Sequence, residues 1–250
     1  MSQRNNRANH WAATAAVLLL CAWPAPAQKT VPVEARPAKA GNPAVSSAGF
    51  APEQGKFRIL LDGQQVGSEE FELSASEQTW LARSSTVLRA PGGDDVKASG
   101  QLRVAADAAP VRYEWSAQAQ KKASGAVDFA GGTAKTAINL TGNSPFRQDF
   151  LFNTSRVIVL DNNLYYQYAM LARLYDWKKG GKQDFPVLIP QDMTPGSISA
   201  ESLGARQTDG GSFETMRVSS PDVEILLYLN ASRQLMRLEV PAAKVTIQRE

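Results

Sequence analysis

Residues 156–190 read RVIVLDNNLYYQYAMLARLYDWKKGGKQDFPVLIP, and this stretch differs in pattern from the rest of the chain. Four apolar side chains recur at the i, i+4, i+7, i+11 spacing of one helical face: Leu164, Tyr168, Leu171 and Tyr175. The polar residues between them fall mostly on other faces. The pattern therefore predicts one α-helix over about residues 161–177.

The residues at both ends of this stretch favour the same interpretation. Asp161 or Asn162 offers a side-chain oxygen to the unpaired amides of a first helical turn. Lys178 and Lys179 place positive charge near the C-terminal end, and Gly180-Gly181 follow where a left-handed residue ends a helix. The two prolines of the next segment, residues 185–190, predict an extended apolar strap, because proline disfavours helix at the residue before it.

Outside that stretch the chain alternates apolar and polar residues with a period of two, which is typical of β-strands. Val111, Tyr113 and Trp115 share one predicted face, and charged residues lie between them. Short turn signals such as Asp62-Gly63 separate the strands. Ten or more strands joined by such turns predict a mainly β fold, in which a strongly curved antiparallel sheet or half-barrel wraps around the one central helix.

The N-terminal residues 1–27 have the three parts of a secretory signal peptide: basic residues at Arg4 and Arg7, an apolar run, and an A-x-A cleavage site at residues 25–27. Cys21 leaves lipidation as an open alternative, although Leu20 is larger than the residue that normally precedes a lipidated cysteine. The sequence predicts an exported protein, located in the periplasm or outside the cell.

The segment after the predicted cleavage site is rich in proline and alanine. Residues 28–54 therefore predict a disordered linker, and residues 55–250 predict a single β-rich domain. The predicted signal is too short to span a membrane permanently, and we expect no transmembrane segment in the mature chain.

The composition after residue 27 excludes several kinds of chemistry. His10 and Cys21 are the only histidine and cysteine of the chain, so the mature protein has no Ser-His-Asp triad, thiol nucleophile, zinc site of the usual ligands or disulfide. Loss of Arg4 and Arg7 leaves 25 basic against 24 acidic residues. With no basic run, nucleic acid is not an expected partner. We predict no catalytic residue, no metal and no cofactor, and a non-enzymatic function.

The aromatic residues of the helix and of the Val111–Trp115 strand point to a binding site between the concave sheet and the helix. Aromatic walls with few polar groups suit an apolar ligand. The predicted ligand-binding residues are Tyr113, Trp115, Leu164, Tyr168, Leu171 and Tyr175. The expected ligand is a hydrophobic small molecule or a component of the cell envelope; these rings could equally be ordinary core residues.

Two other functions remain open at this point. Glu69/Glu70, Asp94/Asp95, Asp128, Asp149, Asp176 and Asp184 could in principle supply the acid and base of a hydrolase acting on envelope glycan, but their spacing forces no two of them together. Alternatively, an edge of the sheet could pair with a strand of a protein partner, and the protein would then be a scaffold.

The opening hairpin, Phe57 to Phe71 with Asp62-Gly63-Gln-Gln-Val66-Gly67, resembles the start of a family of uncharacterised exported bacterial β-domains with a G-x-x-V-G hairpin. The whole arrangement of a curved sheet around a helix is also similar to periplasmic lipoprotein carriers of the LolA/LolB type. This second resemblance is architectural and implies a fold and an envelope location, but it transfers no site residue.

Overall fold

The computed structural model describes residues 49–89, 95–119, 121–141, 144–208 and 210–250. This part of the chain forms fifteen strands and one α-helix, α1. The first eight strands are β1 Glu53–Leu61, β2 Gln64–Ser76, β3 Thr79–Leu88, β4 Val96–Val104, β5 Pro110–Gln118, β6 Lys122–Ala130, β7 Thr133–Leu140 and β8 Phe146–Leu151. The others are β9 Ile158–Val159, β10 Lys182–Ile189, β11 Thr194–Thr208, β12 Gly211–Ser219, β13 Glu224–Leu229, β14 Leu235–Val240 and β15 Val245–Arg249, and α1 spans Gln167–Leu174. The predicted mainly β fold is confirmed.

All fifteen strands belong to one sheet in the order β8-β7-β6-β5-β4-β3-β2-β1-β15-β14-β13-β12-β11-β10-β9. Neighbouring strands are antiparallel except β9 and β10, which are parallel. Most neighbours follow each other directly in the chain because tight turns connect them. Asp62-Gly63 forms the predicted first turn with φ of 50° and 79°, the backbone region that such hairpin turns require.

The pairing of β1 with β15 joins the two halves of the sheet in the middle of the strand order. Register shifts interrupt the ladders at Ile59/Leu60, Arg103/Val104, Ser202/Gly204 and Tyr228/Leu229. Such bulges increase the local twist and bend the sheet. In the described chain β8 and β9 remain the two edges, and a short 3-10 turn, Pro190–Asp192, lies against β6. The sheet thus curves around α1 with its two edges unpaired.

Helix α1 is shorter than the predicted 161–177. On the N-terminal side Asn163 has φ of 62°, and this left-handed residue prevents a continuous helix from residue 161. On the C-terminal side Tyr175 is extended, so the helix ends at Leu174, well before Gly180. The predicted helix existed, but its length was wrong because the apolar spacing continues through turns on both sides.

The helix is enclosed by the sheet, and most of its side chains are buried, including Ala169, Met170 and Leu171. Burying one large apolar side chain contributes roughly 1.5–3 kcal/mol, so packing rather than helix propensity stabilises this short helix. Gly100 on β4 makes room for the approach, because a Cβ there would lie 2.8 Å from Leu164 Cδ1.

Aromatic rings connect the sheet to the helix N-terminus. Phe57 stacks on Phe71 with ring centroids 4.5 Å apart, and Phe71 stacks on Tyr166 at 4.3 Å. Tyr166 directly precedes α1, so these stacked rings form a continuous contact from β1 and β2 to the start of the helix. Contacts of this kind add about 0.5–1.5 kcal/mol to the burial of each ring pair.

The predicted extended strap, residues 185–190, is part of a regular strand in the structure. β10 pairs with β11 on one side and with β9 on the other. The prediction of extended backbone was correct, and the structure shows that these residues pair within the sheet. Pro186 is tolerated near the edge, where β9 provides only two paired residues.

Residues 1–48 lie outside the described part of the chain, so the signal peptide and most of the linker stay predictions. β1 begins at Glu53, two residues before the predicted boundary, and Phe50 already packs on Trp80 with ring centroids 5.4 Å apart. Pro91-Gly-Gly-Asp94, another sequence that predicts a turn between strands, also lies outside the described residues. Among the helices of the described residues, none is long and apolar enough to cross a membrane.

Candidate functional site

A buried carboxyl group on the sheet holds the start of α1. Glu69 of β2 is fully buried, and its side-chain oxygens accept hydrogen bonds from the backbone N–H groups of Tyr165 at 3.0 Å and Tyr166 at 3.2 Å. These amides belong to the turn that leads into the helix. The predicted cap by Asp161 or Asn162 was wrong, because no side chain of the described residues caps the first turn of α1. A glutamate almost a hundred residues earlier instead holds the turn before the helix, and only the fold brings it there.

Asp161 has a different role at the same end of the helix. Its Oδ2 accepts a hydrogen bond from the hydroxyl of Tyr113 on β5 at 2.8 Å. Its Oδ1 accepts from the backbone N–H of Gln191 at 3.0 Å, and its own N–H donates to the side chain of Gln167. The side chain and backbone of Asp161 together therefore connect β5, the helix and the 3-10 turn after β10.

Both carboxyl groups have raised pKa values. Burial raises the pKa of Glu69 to about 8, although hydrogen bonds from Tyr166, Tyr165 and Ser84 oppose the shift. Burial likewise raises the pKa of Asp161 to about 7 against hydrogen bonds from Gln191 and Tyr113. Within the described chain neither carboxyl forms an ion pair, so desolvation of the charged form decides the direction of both shifts.

An apolar pocket with a volume of about 90 Å³ lies beside these groups, between the segment before α1 and strands β10 to β14. Its wall consists of aliphatic side chains from those strands: Ile189, Ile198, Val218, Ile225, Leu238 and Val240. All six are buried. Tyr165 and Tyr168 line the opposite side. An aliphatic wall of this kind suits a hydrocarbon chain.

Polar groups surround the opening of this pocket. The half-buried residues Asn162, Asn163, Ser219 and Ser220 line it together with the carboxyl group of Asp161. No lysine or arginine is among the described residues that line it. Asp192 lies next to this lining, because the side-chain amide of Asn162 donates to both carboxylate oxygens of Asp192 at 3.1 Å. The opening is therefore polar, with two acidic side chains at or near it and no basic residue among the described lining residues.

The opposite end of α1 contains a buried ion-pair cluster. Glu53 contacts Arg173 of the helix at 2.7 Å and Arg249 of β15 at 2.5 Å, and the Tyr166 hydroxyl donates to it at 3.2 Å. The carboxylate of Glu53 is almost fully buried, and both guanidinium groups are mostly buried. This cluster joins the first strand, the helix and the last strand, so its role is structural.

Of the six predicted ligand-binding residues, Tyr168 lines the pocket. The other five lie in the core: Tyr113, Trp115, Leu164, Leu171 and Tyr175. Leu164 lies against Gly100 of the sheet, while Tyr175 donates its hydroxyl to the Gly181 carbonyl at 2.6 Å. The structure brings the helix and sheet residues into one core, but their contact with a ligand stays a prediction.

The aliphatic residues that form the wall of the pocket were not predicted from the sequence. Ile198, Val218, Ile225 and Leu238 each lie on a segment that the sequence predicts to be a strand. What the sequence does not show is that these strands end beside the helix N-terminus. A period-two pattern shows which side chains point inward, but it does not show which of these side chains line a pocket.

Several acidic residues considered for a hydrolase serve other contacts. Asp128 pairs with Arg112 on the outer surface, and Asp176 accepts from the backbone amides of Lys178 and Lys179. Asp184 accepts from the Ser199 hydroxyl, while Asp94 lies outside the described residues. In the described chain no group of three or more His, Cys, Asp or Glu side chains is arranged to hold a metal ion.

Comparison with known proteins bears on the fold. No protein-family model and no curated protein matches the chain. Among solved structures, it is similar to a β-barrel-like protein of the domain of unknown function DUF1849 from Brucella abortus, with a TM-score of 0.51 and 10% identity over 80% of this chain and 94% of that chain. At this identity the similarity supports a β-barrel-like antiparallel domain and nothing about function. The resemblance to LolA/LolB-type carriers stays a prediction.

Proposed function

We propose that the protein binds an amphipathic molecule whose apolar chain enters the pocket between the segment before α1 and strands β10 to β14. The observation that carries this proposal is the aliphatic wall of Val218, Ile225 and Leu238, which faces a pocket with a polar opening. Hydrocarbon in contact with this wall would be removed from water at a gain of roughly 25 cal/mol per Å².

The pocket also limits the class of ligand. About 90 Å³ is small beside the roughly 300–1,000 Å³ of pockets that enclose drug-sized molecules, so one alkyl chain fits better than a fused ring system. When ionised, the carboxyl groups of Asp161 and Asp192 near the opening disfavour an anionic headgroup. Asn162 and Ser220 offer donors and acceptors to a neutral one. The proposed ligand is a single-chain amphiphile with a neutral or cationic polar end.

The predicted signal peptide supports an envelope setting for this function. We place the protein in the periplasm or outside the cell, where lipids and lipid-linked envelope components supply such amphiphiles. In this proposal the protein is a binding protein rather than an enzyme.

The test is calorimetric titration of the protein with octyl glucoside below its critical micelle concentration. Val223 is half-buried and lines the pocket, so Val223→Trp should fill the pocket and weaken binding by about tenfold or more. Val111→Trp is the matched control, because Val111 is exposed on β5 and lies outside the pocket lining. Octyl sulfate should bind more weakly than octyl glucoside, and octyltrimethylammonium at least as well.

The proposal fails if the wild-type protein takes up none of these amphiphiles, or if Val223→Trp binds as tightly as Val111→Trp while both remain folded by circular dichroism. Native mass spectrometry of the protein purified from the envelope of a Gram-negative host supplies an independent reading. Additional mass that organic extraction removes would support a hydrophobic ligand.

A further inference from the structure

The edge strand β8 carries the most exposed apolar side chains of the described chain. Leu151 is 83% exposed and Phe146 is 57% exposed, more than any other large hydrophobic residue described. Both lie on the strand that ends the sheet. Proteins normally cover large apolar side chains on a free edge, so the two on β8 indicate a surface that a further strand covers, although this strand also carries the charged residues Arg147 and Asp149.

The backbone geometry shows which residues of β8 would bond to that strand. The N–H of Phe152 donates to the carbonyl of Gly132 at 2.7 Å, which continues the β7–β8 ladder. Because the bonding direction alternates along an antiparallel strand, the backbone groups of the even-numbered residues face β7. Those of Arg147, Asp149 and Leu151 consequently point to the free side.

The side chains of this strand are complementary to themselves. Residues 145–151 read PFRQDFL. When two copies run antiparallel with Gln148 opposite Gln148, Arg147 of each copy faces the partner's Asp149. In the same register Leu151 faces the partner's Pro145, and Phe146 faces the partner's Phe150. Every opposed pair is then either apolar with apolar, opposite in charge, or amide with amide.

The neighbouring registers are unfavourable. Only the odd-numbered residues of β8 direct their backbone groups to the free side. Hydrogen bonding between two copies is therefore kept only when one copy shifts by two residues relative to the other. One shift places Arg147 opposite the partner's Arg147, and the other places Asp149 opposite the partner's Asp149. Like charges directly opposite each other destabilise a strand pair. Charge therefore selects one register among those that the backbone allows.

From these observations we propose that β8 pairs with β8 of a second copy of this chain and forms a two-fold symmetric dimer with one continuous sheet. The symmetry requires the same patch on both subunits, and a self-complementary strand provides it. The pairing covers Phe146 and Leu151 and satisfies the free backbone groups of Arg147 and Asp149. This interface is separate from the pocket, so it does not depend on ligand binding.

The test is sedimentation equilibrium of the purified protein and of charge-swap variants. Arg147→Asp and Asp149→Arg should each raise the dimer dissociation constant by about tenfold or more, because each change places like charges opposite one another twice in the dimer. The double variant R147D/D149R restores opposite charges in the same register and should return to within about threefold of the wild type.

Arg83→Asp is the matched control for Arg147→Asp, since both make the same change in net charge. Arg83 is exposed on β3, so its replacement should leave the dimer unchanged. Circular dichroism establishes that each variant is folded. A wild-type protein that stays monomeric at about 1 mM, unchanged dimerisation in both single variants, or failure of the double variant to recover would each overturn the proposal. Capture of a different protein by a monomeric chain would also overturn it.

Discussion

The two ends of α1 both contain buried carboxyl groups but differ in how these are compensated. At the C-terminal end Glu53 contacts two guanidinium groups, from Arg173 and Arg249. At the N-terminal end Glu69 and Asp161 are surrounded by hydrogen-bond donors, and within the described chain no cation pairs with them. Burial raises the pKa of both of these groups.

Because of this difference, the C-terminal end of α1 has a structural role, whereas the contribution of the N-terminal end depends on pH. A buried charge with matched partners is compensated inside the protein, and removal of one partner leaves the others to bear the full cost of burial. A buried acid without a cation retains its proton to higher pH, so its contribution depends on the solution. The pocket lies at the N-terminal end, beside Asp161, where the surroundings respond to pH.

The largest effect should come from breaking the cluster at the C-terminal end. Glu53→Gln leaves Arg173 and Arg249 mostly buried without their anion, and we expect the free energy of unfolding at pH 7 to fall by about 3–5 kcal/mol. Urea denaturation measures this. Glu72→Gln is the control on β2, because Glu72 is exposed and should change stability by less than about 1 kcal/mol. A small effect of Glu53→Gln would remove the distinction between the two ends.

The next effect concerns pH and the N-terminal end. The folded pKa of Glu69, about 8, and of Asp161, about 7, lie above their ordinary values of 4.5 and 3.8. Between these limits the folded protein binds more protons than the unfolded chain. The stabilising contribution of the protonated Glu69 and Asp161 carboxyl groups is therefore complete below pH 4 and is lost as the pH rises through 7 to 8. We expect the free energy of unfolding to fall by about 2–4 kcal/mol from pH 5 to pH 8.

Glu69→Gln sharpens this comparison because glutamine cannot ionise. The variant should show a shallower decrease in the free energy of unfolding between pH 5 and pH 8 than the wild type, measured by urea denaturation at each pH. Glu70→Gln is the matched control, since Glu70 is the exposed neighbour on β2. A profile for Glu69→Gln as steep as that of the control would contradict the assigned role of Glu69.

The smallest effect is expected at an exposed ion-pair group. Arg112 contacts Glu114 at 2.9 Å and also Asp128, and its side chain is 41% exposed. Water screens these charges, so Arg112→Ala should lower the free energy of unfolding by no more than about 1 kcal/mol. Thermal unfolding at low and high salt measures this. A loss comparable to that of Glu53→Gln would show that the number of partners, rather than their burial, sets the contribution.

The fold was largely predictable because each element carries a local signal. The alternation around Tyr113 and Trp115 predicts a strand, and Asp62-Gly63 predicts a tight turn from the two residues alone. The helix was found from its apolar spacing, but its ends were misplaced. Asn163 has left-handed backbone and Tyr175 extended backbone, and the Tyr175 hydroxyl accepts a hydrogen bond from the distant backbone N–H of Ser202 on β11.

The candidate site was predicted only in part. Tyr168 was identified from its position on the helix, whereas the wall from Val218 to Val240 was not, because no local pattern states which strands meet the helix N-terminus. Glu69 illustrates the same point. Next to Glu70 it reads as an ordinary acidic residue of a strand, and only the fold places it where it accepts hydrogen bonds from the backbone of Tyr165 and Tyr166, just before the helix.

The sequence by itself determined the class of fold, the existence of one helix, and the restriction that residues after Cys21 contain neither histidine nor cysteine. These properties follow from local backbone preferences and from composition, which a single chain displays directly. Only the tertiary structure decided how Glu53, Glu69 and Asp161 are compensated, where the apolar pocket lies, and that β8 is a free edge. Those properties depend on desolvation and on contacts between residues far apart in the chain, and both arise only when the sheet curves around the helix.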